Sequence, residues 1–177
     1  MMLSYAVIAV CVVMCILLNR SQFPVDAAVK YGALVPLRVK RREYWRLLTA
    51  GFLHIQIWHL LMKMQSMYNM SGLEYVFGVP LYALILFGSV IGGNLLSVFF
   101  AEDEAQVSLG LSGGLYGLLG AYFVLLFKMG ALGSTSVQMS LLRMALVNLL
   151  INLMPNVSRM AHAGGFLTGF ALAMFML

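Results

Sequence analysis

Six stretches of about twenty apolar residues, at 1–18, 57–77, 81–100, 110–129, 137–154 and 160–177, constrain this chain more than any other feature. A bilayer hydrocarbon core is about 30 Å thick, and a helix needs about 20 residues to cross it. Backbone polar groups inside lipid must be satisfied within the chain, so repeated segments of this length select helices. With 62% hydrophobic and 10% charged residues and a mean hydropathy of +0.94, the 177-residue chain carries more apolar surface than one soluble core can hide. The predicted class is an all-α integral membrane protein, a bundle of six transmembrane helices forming a single domain over 1–177. Residues 1–18 lack a basic start and an A-x-A cleavage site, and read as a retained span rather than a signal peptide.

Turn signals at 78–80, 101–106, 130–136 and 155–156 separate the later segments. The exception is the long connection 19–56, which contains Pro24, Pro36, the basic run "RVKRREYWR" and then the apolar "LLTAGFLH". Such a loop is predicted to lie in the membrane interface and to carry function. The net charge is +5, and seven of the eleven Lys and Arg fall between Arg20 and Arg46, beside a span. Membrane lipid headgroups are therefore the expected partner, and nucleic acid is not. Cys11 and Cys15 sit four apart in the first segment without Cys or His companions, so neither a disulfide framework nor a metal site is indicated. The stripe Met62, Met64, Met67 and Met70 reads as lipid-facing or as filler. No cofactor is expected.

Alternation of six helices puts the long loop and the connections 101–109 and 155–159 on one face of the bundle, here face A, and the other connections on face B. Ser112, in "GLSGGLYG", and His162, in "AHAGGFLTG", each follow a face-A connection by a few residues. At 1.5 Å per residue both lie about 5 to 10 Å below face A. Gly113, Gly117 and Gly120 stripe one segment and Ala161, Gly165 and Gly169 the other, so the two backbones can approach closely. The small residues are explained equally well as packing devices. The histidine is not, because an ionisable residue inside a span is costly and points to function.

The two motifs resemble the paired signatures of the rhomboid intramembrane serine proteases, G-x-S-G on the fourth core helix and A-H-x-x-G on the sixth. "YWRLLTAGFLH", "HIQIWHLL" and "GLE" at 72–74 resemble further elements of that family, and the likeness runs from about Arg42 to the C-terminus. It is greatest to the compact six-helix bacterial forms. The resemblance implies a catalytic pair in which His162 takes the proton from the Ser112 hydroxyl, with transmembrane proteins as substrates. No acidic residue is near in the sixth segment, so no third member is expected, and Tyr116 would pack against the imidazole instead. The backbone N–H of Ser112, near a helix start, and the His59 side chain would stabilise the oxyanion. His54 stays open between a structural and a functional role. The segment 137–154 would act as a lateral gate, and the site would open on face A, outward from a bacterial plasma membrane.

The family's second-helix pattern is His-x-x-x-Asn, whereas this chain reads "HLLMKM", with Lys63 in place of the asparagine. Lys63 either donates to the oxyanion, acts as base for Ser112, or fills the cavity and impairs the enzyme. The last reading motivates a rival function, a proteolytically inactive rhomboid-like protein that binds membrane clients. A channel or transporter subunit is disfavoured by the lack of paired broken helices or charged pore rings. Asn94, Arg143, Asn148 and Asn152 either contact substrate or tie helices together, and Glu74 is expected to anchor a helix end or the long loop. The charge count sets face A, with eight Lys and Arg, against face B, with Lys128 alone. The positive-inside rule would put face A in the cytoplasm, opposite to what the resemblance implies.

Overall fold

Helices dominate the computed structural model, which describes residues 1–153 and 157–177. They are α1 (Met2–Asn19), α2 (Pro24–Tyr31), α3 (Pro36–Lys40), α4 (Arg46–Thr49), α5 (Ile57–Met70), α6 (Gly72–Phe99), α7 (Ser112–Lys128), α8 (Thr135–Leu153) and α9 (Arg159–Met176). Short 3-10 turns span Ala50–Phe52 and Ala131–Gly133. The architecture is an all-α membrane bundle. By length and composition alone α1, α6 and α8 qualify as membrane spans, and α7 is a shorter apolar helix. The two remaining long helices, α5 and α9, are diluted by the polar residues His59 and Lys63 and by His162.

One predicted boundary moves. The segment 57–77 is not a single helix: α5 ends at Met70, and Gly72 opens α6. The turn signal at 78–80 marks a kink within α6, where Gly78 adopts φ 73° just before Pro80. A positive φ is accessible to glycine, and proline removes a helical N–H, so the pair bends the chain while helical hydrogen bonding continues on either side.

The heart of the bundle is α6, α7 and α9. A Cβ built on Gly165 would overlap the Gly113 carbonyl, and one on Gly169 the Gly117 carbonyl, so α7 and α9 touch backbone to backbone. On the other side of α9, a Cβ on Gly93 of α6 would overlap the Ala161 carbonyl. Lipid tails are as apolar as leucine, so close van der Waals contact and polar links hold membrane helices together better than apolar bulk does. Tyr82, Ile85, Leu86, Leu118 and Val124 fill the remaining core, with Met67 of α5 fully buried among them. By contrast, no residue of α8 is fully buried.

The long connection folds into a cap on face A. Arg46 is 2% exposed; its guanidinium donates to the carbonyls of Val29 (2.7 Å) and Ala33 (3.0 Å) and pairs with Glu43 at 2.6 Å. That charge serves the loop's interior, not the lipid surface. Leu34 and Ser108 exchange two backbone hydrogen bonds of 2.9 Å, which fasten the cap to the connection preceding Ser112. Asn94 ties α6 to the Leu47 carbonyl at 2.8 Å. At face B, Glu74 accepts from the Leu3 and Ser4 backbone and from Ser4 Oγ, anchoring the start of α1.

Candidate active site

Local sequence explains where the two motif residues stand. Gly110 adopts φ 120°, its N–H donates to the Ala50 carbonyl at 2.9 Å, and α7 begins two residues later at Ser112. The first intrahelical bond there runs from Leu115 N–H to the Leu111 carbonyl, at 3.2 Å. The N–H groups of the opening turn, including that of Ser112, thus have no partner within the helix, as helix starts require. On α9, Ser158 caps the helix by accepting the Ala161 N–H at 3.2 Å, and His162 follows one residue later.

His162 is 3% exposed, and its ring stacks on Tyr116 with centroids 4.0 Å apart and planes 14° from parallel. Tyr116 is one helical turn beyond Ser112, so the stack brings the histidine to the serine's end of α7. Among the described residues no hydrogen bond joins Ser112 Oγ to the imidazole. The ring is instead held by a residue that sequence reasoning assigned no catalytic part: Asn152 Oδ1 lies 2.8 Å from His162 Nδ1. The Asn152 amide nitrogen donates to Tyr116 Oη and to the Asn148 carbonyl, both at 2.8 Å. An amide that spends its N–H groups in this way offers its oxygen to Nδ1, which must then carry the proton. The basic lone pair of the imidazole is left at Nε2. Sequence reasoning expected no acidic residue to orient the ring; the hydrogen-bond partner of Nδ1 is a neutral amide from α8 rather than a residue of the helix that bears the histidine. The i, i+4 pair Asn148 and Asn152 on one face of α8 was the signal available in sequence.

Two of the cavities along α8 share Met144 and Asn148 in their walls. One, of about 370 Å³, contains Ser112, Lys63 and Tyr116. The other, of about 680 Å³, is lined by His162, Asn152 and apolar side chains of α7, α8 and α9, with Tyr116 again at its wall. Lys63 is buried and lines the same cavity as Ser112. His59, one turn above Lys63, and His54 flank Gly110: a Cβ there would lie 4.0 Å from His59 Cε1 and 3.6 Å from His54 Nε2. The two histidine rings meet edge to face at 6.0 Å. His54 is fully buried with neither ring nitrogen in hydrogen-bond geometry, although the Phe52 carbonyl is close by. Burial, and then the neighbouring His59, lower its pKa from 6.5 to about 4, which keeps it neutral near pH 7.

Comparison with known proteins gives a consistent assignment. The family model described as "Rhomboid domain" matches residues 41–177. "RHOMBOID-like protein 1" of Arabidopsis thaliana is 36% identical over 152 residues, 84% of this chain and 39% of that protein. "RHOMBOID-like protein 6, mitochondrial" of the same plant is 38% identical over 152 residues, 84% of this chain and 49% of the relative. "Rhomboid protease GluP" of Bacillus subtilis is 27% identical over 174 residues, 96% of this chain and 34% of that protein. The chain thus spans half or less of the length of these relatives.

Proposed function

The chain belongs to the rhomboid family, and from that membership we propose that it is an intramembrane serine endopeptidase that cleaves transmembrane proteins. The observation that carries the reading is the fixed imidazole: His162 is clamped between the Tyr116 ring and the Asn152 amide, at the end of α7 where Ser112 begins the helix. In this reading Ser112 Oγ attacks the scissile carbonyl and gives its proton to His162 Nε2. The tetrahedral oxyanion is met by the unpaired N–H groups of the first turn of α7, including that of Ser112, and by donors from the α5 side, His59 and Lys63. Nε2 then returns the proton to the departing amine as the acyl-enzyme forms, and water entering from face A releases the acyl group by the same steps in reverse. Lys63 stands in for the family's asparagine as a donor, at some loss of rate.

The protein is an integral membrane protein, and we place it in a bacterial plasma membrane, a reading supported by the match to the Bacillus subtilis protease over 96% of the chain. Substrate reaches the site past α8, the helix that buries least against the bundle. A fluorophosphonate probe tests the assignment. It should label Ser112 in a folded detergent preparation, and both Ser112→Ala and His162→Ala should abolish the labelling. No labelling of folded wild-type protein would transfer support to the client-binding rival, which Lys63 motivates.

A further inference from the structure

The cavity beside Ser112 holds an unbalanced charge. Lys63 from α5 and Arg143 from α8 both line it, and among the described residues neither forms an ion pair or hydrogen bond. Ser66 and Asn69 continue the polar line down α5 at three-residue spacing, and Asn148 faces them from α8. A polar seam therefore runs from the serine towards face B between α5 and α8.

The chain itself has no carboxylate to give this seam. Of its six acidic residues, Asp26, Glu43, Glu102, Asp103 and Glu104 lie in the face-A segments 19–56 and 101–111. Glu74, the one within a long helix, is taken by Ser4 and Leu3 at the opposite end of the bundle. Cations in a membrane interior are costly and are retained where they meet a counter-charge or line a water-filled path. A counter-charge for this pair can come only from outside the chain. Arg143 stands near the middle of α8, about 12 Å from one end and about 15 Å from the other at 1.5 Å per residue. A lipid phosphate would have to leave the headgroup layer to reach it, whereas a side chain on a membrane-spanning helix is already at that depth.

We infer that the seam between α5 and α8 receives a transmembrane segment bearing an aspartate or glutamate on the face-B side of its scissile bond, and that Lys63 and Arg143 select it. This deepens the proposed proteolysis and rests on it for the scissile bond, but the recognition step is separable from the chemistry. Like-charge repulsion sharpens the choice, since a substrate lysine at the same level would face two cations.

The test uses the full chain in liposomes, with transmembrane reporters in which Asp, Asn or Lys is scanned over the two turns following the cleavage point. Cleavage efficiency should favour Asp over Asn by about tenfold at one register, with Lys poorest. Arg143→Gln should reduce the ratio of Asp to Asn cleavage towards one, and Arg143→Glu should turn the preference towards Lys. In parallel, Ser112→Ala is used to measure binding of the same fluorescent reporters without turnover. Asp-selective binding with no cleavage by the wild type would sink the proteolytic reading and keep this inference. Equal cleavage and equal binding of all three reporters would overturn the inference and leave the protease intact. An activity that instead follows the fraction of anionic lipid, loses that dependence in Arg143→Gln and ignores the reporter residue would assign the seam to a lipid headgroup and overturn it as well.

Discussion

The Asn152 side chain touches both halves of the candidate site, accepting from His162 and donating to Tyr116. Truncating it frees the imidazole to rotate and lets Nδ1 compete for the basic role. Asn152→Ala is expected to lower kcat about tenfold to a hundredfold with little change in KM, measured on a transmembrane reporter. A pure rise in KM would instead make Asn152 a substrate contact. Lys63 gives the second residue-scale prediction. It projects into the serine's cavity where the family carries a neutral donor, so on a reporter with no acidic residue after the cleavage point Lys63→Asn should raise cleavage several-fold, about 1 kcal/mol in the barrier. Unchanged or lower activity would remove the idea that the lysine impairs the site.

At the scale of elements, the welded trio of α6, α7 and α9 sets the distance on which the chemistry depends. Gly169 meets the Gly117 backbone with no room for a methyl group. Gly169→Ala should cost about 1 to 3 kcal/mol and drive α9 away from α7, lowering both unfolding stability in micelles and cleavage rate. Loss of stability with full activity would show that the spacing is not catalytic. The same trio explains what was legible in advance. Apolar length and small-residue stripes report how a single helix meets its neighbours, so the all-helical membrane bundle and the close approach of α7 to α9 could be reasoned from sequence. Asn152 could not, because an asparagine on an apolar helix looks alike whether it ties helices or holds an imidazole, and only the path of α8 past α9 separates the two. The end of α5 escaped for a local reason: the Gly78 and Pro80 signal is stronger than the turn at Ser71, yet it bends α6 instead of ending a helix. The cap over 19–56 also carried more order than its composition implied, since the bonds of Arg46 run to carbonyls far along the chain.

For the whole molecule, the unequal distribution of charge between the two faces meets a structural explanation. Several face-A cations are engaged within the cap: Arg46 with Glu43 and two carbonyls, and Lys40 with Glu104. A folded cap with part of its charge engaged internally is a weaker topology signal than a simple connector with the same residues. Face A is accordingly expected outside the cell. A cysteine introduced as Val39→Cys is buried, so the neighbouring exposed position is the better reporter: Lys40→Cys should react with an impermeant maleimide added to intact cells. Protection of that thiol until the cells are opened would reverse the orientation.

The loose seating of α8 has a mechanical meaning. Moving it aside replaces one set of helix–hydrocarbon contacts with another of similar strength, so the hydrophobic effect supplies no latch on that side. What resists the movement is the polar link of Asn152 to Tyr116 and His162, together with the packing of the surrounding acyl chains. In the gating role proposed for α8, the host bilayer acts as a spring beside that polar link, and cleavage rate is expected to rise with bilayer fluidity.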